Sequence, residues 1–321
     1  MLLKTDREFL LPLLDKWGLE LGQIIPDALI PGSPERTIQR LVVTTTGGHT
    51  FILEEITPQS LPRKKEISSF LDTLVDHDLP CIHPYIRNQG GDTIITYHQR
   101  YWQLRDYIQG TPLDRSGYLH ESWRGKALGE FLIHFYRVSA QLDFSFREPV
   151  FSIVAFIHKF MQTLSFHQPE LAVEITPIFN FLEKDFFASH NDLPIGFSHG
   201  DYHPLNVIWS ETEMVSVIDW EFCGKKPKIY DFSLLVGCIG IEDPWALKGP
   251  LTQALLRTIK REKIYCEASM AQLFNMVLAL RFAWLSEWLR KKDHDMIRLE
   301  IDYMTLLWQN HETIQLLWAS F

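Results

Sequence analysis

Asp201, Asn206 and Asp219 are the residues of this chain whose types and spacing suit chemistry. Asp201 and Asn206 are five positions apart in the stretch Phe197-Ser198-His199-Gly200-Asp201-Tyr202-His203-Pro204-Leu205-Asn206, and Asp219 follows Asn206 by thirteen. Val207-Ile208-Trp209 and Val215-Ser216-Val217-Ile218 are short β-prone runs, and Ser210-Glu211-Thr212-Glu213 can turn between them. Such a hairpin folds Asn206 back beside Asp219 and leaves Asp201 on the loop before it. Two oxygen ligands and a carboxylate base are then gathered. Phosphoryl transfer needs that set: Mg²⁺ takes one or two oxygens from protein and the rest from phosphate and water. The acceptor hydroxyl needs a carboxylate that orients it and takes its proton. A rival chemistry makes His199, Asp201 and His203 ligands of a metal such as zinc, because alternate residues of a strand share a face. Gly200 and Pro204 suit a loop better than a strand.

The form His199-x-Asp201-x-x-x-x-Asn206 has the spacing of a kinase catalytic loop. Read as His-Gly-Asp-x-His-Pro-x-Asn and followed by Ile218-Asp219-Trp220-Glu221, it resembles the aminoglycoside phosphotransferase and choline kinase family. The resemblance spans roughly residues 25–300 and is sharp at 197–235. It implies an α+β, two-lobed protein-kinase-like fold: a small antiparallel-sheet N-lobe that binds nucleotide, residues 1–109, and a mainly helical catalytic and substrate lobe, residues 110–321. It also implies ATP or GTP with Mg²⁺, Asp201 as catalytic base and Asn206 and Asp219 as metal ligands. His199 and Asp231 would support the catalytic loop, and Asp231 also suits a helix cap.

The same resemblance places nucleotide contacts. The Pro31–Arg36 loop, with Ser33 and Arg36, lies where the family covers the phosphates; its single glycine fits a plain surface turn equally well. Tyr107 and Ile108 fall at the hinge that meets the purine. Glu66 is the candidate for the helix glutamate that pairs with a strand lysine, against the alternative of a surface residue. That lysine is absent: the strand Phe51-Ile52-Leu53-Glu54-Glu55-Ile56 carries Glu54 at its position. If Gly47-Gly48 is a two-residue turn, Thr46 pairs with His49, Arg40 falls opposite Glu55 and Leu41 opposite Glu54. Glu54 is then unpaired by this strand, and Arg36, Lys64 or Lys65 has to reach in. On this reading Glu54→Lys strengthens ATP binding, unless Glu54 points to solvent.

The remaining chain frames these residues. Helices are expected at 5–17, from Leu61-Pro62 onward, at 150–165, 171–188, 271–290 and 295–318. Trp284 and Trp288 read as core, with an acceptor-binding role, alongside Trp220, Glu221, Glu242, Asp243 and Glu287, as the alternative. Hydrophobic residues are 46% and charged residues 22%, the range of a globular protein with a sizeable core. The net charge of -9 argues against nucleic-acid binding and leaves room for a cationic acceptor. The four cysteines form no C-x-x-C pair, which implies a reducing, cytoplasmic setting. Charges near Met1 are unlike a signal peptide, and no apolar run reaches about 18 residues, so no membrane partner is expected. The function expected is an ATP- or GTP-dependent small-molecule kinase that transfers the γ-phosphate to a hydroxyl. The alternative is a pseudokinase that binds nucleotide or a partner without efficient turnover. Acceptor, purine and oligomeric state stay open.

Overall fold

The computed structural model describes residues 7–321. The expected helix 5–17 begins outside them; what is described is α1 (Arg7–Leu14) and a tight turn at Asp15–Trp17 that ends on Gly18 at φ +69°. Its contacts divide the chain into two compact units. Of the described residues, the first holds 7–112, 142–144 and 205–221; the second holds 113–141, 145–204 and 222–321.

The first unit is built on an antiparallel sheet of β1 (Leu21–Ile25), β2 (Thr37–Thr45), β3 (Thr50–Ile56), β4 (Ile94–Tyr97) and β5 (Arg100–Asp106), in the spatial order β1-β2-β3-β5-β4. Alternation sorts its two faces. Leu41, Val43, Leu53, Trp102 and Leu104 pack with Leu10, Leu13 and Trp17 in one cluster. The intervening positions Arg40, Glu54, Gln103 and Arg105 share the other face. The helix α2 (Leu61–Asp76) buries Lys64, Ile67, Ser68, Phe70, Leu71 and Leu74, a stripe at helical spacing that begins with a lysine.

The β2–β3 hairpin differs from the expected two-residue turn. Thr44 pairs with Thr50, Thr45 N–H donates to His49 O at 2.8 Å, and Gly48 N–H donates to Thr45 O at 3.0 Å with Gly48 at φ +82°. The loop is therefore three residues long and closes on a left-handed glycine, the next commonest hairpin form. One extra loop residue slips the register by one. Arg40 faces Glu54 and Gln39 faces Glu55, not Arg40 on Glu55 and Leu41 on Glu54.

The second unit is mainly helical. In chain order come α3 (Ser122–Ser139), α4 (Ile153–His167), α5 (Pro169–Ser189) and strand β6 (Ile195–Ser198). The chain then enters the first unit for β7 (Val207–Trp209) and β8 (Met214–Val217). It returns for β9 (Gly224–Pro227), which pairs with β6, and for α6 (Tyr230–Glu242), α7 (Pro250–Glu262), α8 (Glu267–Ala271), α9 (Leu273–Lys291), α10 (His294–Gln309) and α11 (His311–Ser320). The last expected helix is thus two, broken at Asn310. Helices α3 and α7 touch at Gly125, where an added Cβ would lie 2.0 Å from Leu251 O. Among the described residues no helix is long and apolar enough to cross a membrane.

Helix α9 carries Arg281 into the core, where its Nε and Nη2 donate to Glu300 of α10 at 2.5 and 2.7 Å. Both side chains are buried, and Trp288 Nε1 adds a third bond to Glu300 at 3.3 Å. Removing one member of such a pair leaves the other charge stranded. Glu300→Ala is expected to destabilise the protein by about 3–5 kcal/mol, read from denaturant titration. A loss under about 1 kcal/mol would mean that water or another carboxylate reaches Arg281.

Candidate active site

The segment with Asp201 belongs to the second unit, up to Pro204, and that with Asn206 and Asp219 to the first. In the second unit, β6 delivers the chain into a loop held from three directions. Asp231, in the first turn of α6, accepts the His199 N–H at 2.7 Å on Oδ2 and the Gly200 N–H at 2.8 Å on Oδ1. Gly200 sits at φ +86°, and a Cβ there would come 2.2 Å from Phe222 O. Tyr202 is buried, stacks on Phe131 at 5.3 Å and donates its hydroxyl to Leu128 O at 3.1 Å. Between these anchors the Asp201 N–H donates to His199 Nδ1 at 3.2 Å, and the Asp201 carboxylate lies 3.6 Å from His203 Nε2. The His199–Pro204 segment is a loop, so the alternating-strand premise of a His199/Asp201/His203 metal site fails. Among the described residues no three His, Cys, Asp or Glu side chains converge as a ligand set.

Beyond His203 stand Trp284, with ring centroids 6.2 Å apart, and Trp288, stacked on Trp284 at 5.7 Å. Both indoles are half-buried rather than core. The acidic alternatives beside them are engaged: Glu287 with Arg290 and Lys291 of its own helix, Glu242 with Arg115, and Asp243 as the cap that accepts Trp245 N–H.

In the first unit, β7 and β8 pair as the sequence suggests, Val207 with Val217, and Ile218 N–H donates to Asn206 O at 2.9 Å. Asn206 is buried and Asp219 lies one residue beyond Ile218. Asp219 holds φ +65°, a left-handed conformation uncommon outside glycine and concentrated where geometry matters for function. Its Oδ2 accepts the Ser33 N–H at 2.9 Å, so the Pro31–Arg36 loop rests on it. Arg36 of that loop reaches Glu221 at 3.3 Å. Arg63 donates to Glu221 O at 3.0 Å and Lys64 to the Glu221 carboxylate. Glu66 lies 3.8 Å from Arg63 on its own helix. Tyr107 follows β5, with its N–H on Thr50 O at 3.0 Å and its hydroxyl on Leu29 O at 3.3 Å, and Ile108 beside it is half-buried.

Glu54 is neither unpaired nor solvent-facing. Gln103 Nε2 donates to Oε2 at 2.6 Å and Arg105 to Oε1 at 3.4 Å, with Arg40 directly across β2. Burial raises the carboxyl's pKa, but Arg105, Lys64, Gln103 and Arg40 outweigh it and hold the group below its ordinary value. The gain expected from Glu54→Lys does not follow from this geometry, because a lysine there would face Arg105, Lys64 and Arg40. Glu55 is on the opposite face, with Gln39 at 2.8 Å and Arg100 at 3.6 Å. Lys64 was named in the sequence only as one of several cations within reach. Its signal was periodicity: 64, 67, 68, 71 and 74 form the buried stripe of α2.

The model of the phosphotransferase enzyme family matches residues 36–265. The chain belongs to this family. No curated protein matches the sequence. Among solved structures, a microcompartment-associated aminopropanol kinase superposes with TM-score 0.69 at 16% identity, over 97% of this chain and 99% of that one. An amicoumacin kinase in complex with AMP-PNP, Ca²⁺ and Ami gives 0.67 at 13%, over 95% and 93%. The GDP complex of aminoglycoside 2'-phosphotransferase-IIIa gives 0.65 at 14%, over 96% and 100%. The phosphotransferase fold is thus shared along nearly the whole chain.

In this phosphotransferase, burial pushes the Asp231 carboxyl up to about 6, against the Gly200 N–H, Lys226 and the His199 N–H, which pull it down. Its folded-state pKa lies above the unfolded value of 3.8. The stabilising contribution is therefore fully present below the unfolded pKa and is lost as pH rises through about 6. Between pH 7 and pH 5 the wild type should gain about 1 kcal/mol that Asp231→Asn lacks. Denaturant titrations of both proteins at the two pH values check this, and parallel pH dependence would show that Asp231 titrates normally.

Proposed function

We propose that this protein is a small-molecule kinase that transfers the γ-phosphate of ATP or GTP to a hydroxyl of its acceptor. The observation that carries the reading is the β7–β8 hairpin, which joins Asn206 to the Ile218-Asp219 step and leaves Asp219 at φ +65°. An amide oxygen and a carboxylate are hard donors that fit Mg²⁺, and Asn206 and Asp219 would hold it. Bound there, Mg²⁺ would neutralise charge on the phosphates. The other assignments concern the chain's own groups. Ser33 and Arg36 meet the phosphates, Tyr107 and Ile108 meet the purine, and Glu54 and Glu66 set the charges behind them. Residues 1–109 supply these nucleotide contacts, and residues 110–321 supply the base and the acceptor contacts.

Asp201 orients the acceptor hydroxyl and takes its proton. The loop anchors suit that task, since a base works only while held within hydrogen-bond reach of its proton. His199 and Asp231 position Asp201 through the backbone rather than by touching the reactants. The stacked, half-buried Trp284 and Trp288 next to His203 support an acceptor with a cationic group, held by cation–π attraction. The similar solved structures include an aminopropanol kinase and an aminoglycoside 2'-phosphotransferase, which agrees with that chemistry. A second reading, nucleotide binding without efficient turnover, draws on Glu54 at the expected lysine position.

Nucleotide consumption with Mg²⁺, screened against amino sugars, amino alcohols, sugars and nucleosides, separates the two readings. Given an acceptor, Asp201→Asn should lower kcat by about 10²–10⁴-fold and leave nucleotide affinity near that of the wild type. Retained turnover would remove Asp201 from the mechanism. In calorimetry, Asp219→Ala should weaken Mg-nucleotide binding more than Asn206→Ala, because it removes a charge. Unchanged affinity in Asp219→Ala would dismiss the metal assignment.

A further inference from the structure

Lysine is seldom buried without a reason. Lys64 is 4% exposed, on the core-facing stripe of α2 one turn ahead of Ile67 and Ser68. Burial opposes its charge, but Tyr85, Glu221 and Glu54 outweigh burial and raise its pKa above the ordinary lysine value. The ammonium is therefore kept charged out of water. An ammonium has three N–H donors. Among the described residues Lys64 makes one hydrogen bond, to the Glu221 carboxylate. A dry cation with donors left over is suited to an anion that arrives later.

Its neighbours say where that anion would come from. Glu221 lies two residues beyond Asp219, and the same carboxylate takes Arg36 from the loop whose Ser33 N–H rests on Asp219. Lys64 thus shares a carboxylate with the loop assigned above to the phosphates. The other cations of the cluster are committed. Arg40 donates to the carbonyls of Ile30, Pro31 and Gly32, and Arg105 donates to Glu54. Glu54 is fixed by β5 as an anion that acts on Lys64.

We propose that Lys64, reaching from α2, grips the phosphates of the bound nucleotide, and that strand and helix have exchanged charges: β3 supplies the anion, Glu54, and α2 the lysine. The strand anion and the helix cation act on each other through space with the polarity inverted, and Glu221 holds the ammonium until phosphate oxygens take its remaining donors. The inference rests on the nucleotide-dependent reading above.

The test compares ATP or GTP, whichever the wild type binds with Mg²⁺, with the corresponding nucleoside, which has no phosphates. Lys64→Met and Lys64→Gln are measured by calorimetry at low and high salt; the glutamine keeps a donor for Glu221 should the methionine variant fold poorly. The expected result is a loss of about tenfold or more in triphosphate affinity at low salt, since a charge-assisted contact is removed. That loss shrinks as salt rises, and nucleoside affinity stays within about twofold. Lys64→Arg should recover most of the loss. Unchanged triphosphate affinity in Lys64→Gln overturns the proposal, as does an equal fall for triphosphate and nucleoside, which marks a structural role. A wild type that binds neither nucleotide overturns the kinase reading itself, a distinct result from wild-type binding that ignores Lys64.

Discussion

A charge taken out of water must be met by an opposite charge or by N–H groups aimed at it, and the segments around Asp201 and Asp219 are arranged around that requirement. Asp231 is buried at the start of α6, and the donors that meet it are the amides of His199 and Gly200. Meeting it fixes the backbone one residue before Asp201. The backbone turn this demands is open only to a residue without a side chain, because Phe222 O occupies the space of a Cβ at Gly200. One buried carboxylate thus sets both the path of the loop and the identity of a residue on it.

The first unit meets the same requirement with a network of side chains. Glu54, Asp219 and Glu221 are the anions; Arg36, Arg40, Lys64 and Arg105 are the cations. The members come from β2, β3, β5, α2, the Pro31–Arg36 loop and the segment after β8. None can be exchanged alone without stranding a partner, which is why a single lysine at position 54 is not a repair. The backbone joins in, since the Ser33 amide on Asp219 and the Arg40 guanidinium on the carbonyls of Ile30 to Gly32 hold the loop against this network.

The sequence by itself determined the local course of the segment that holds the candidate residues. His199, Asp201, Asn206 and Asp219 are legible because their spacing is local: a loop followed by a tight hairpin leaves few ways to fold, and β-prone runs around a polar turn specify the pairing of Val207 with Val217. The fold class was legible through the family resemblance that the same segment carries. Lys64 stood in plain view on such a stripe, but a stripe tells only that a side chain faces inward, not what it meets there.

What only the tertiary structure decided is partnership across elements. The β2–β3 register turned on one residue of loop length, because both a two- and a three-residue turn accommodate Gly47-Gly48, and that slip moved Arg40 onto Glu54. The fate of Glu54 depended on Gln103 and Arg105, some fifty positions away on a strand whose alignment no local pattern fixes. Trp284 and Trp288 have the spacing of core residues, and the packing of α9 leaves both half-buried. Local spacing fixes which groups a segment offers; which charges answer one another is set by packing between segments far apart in the chain.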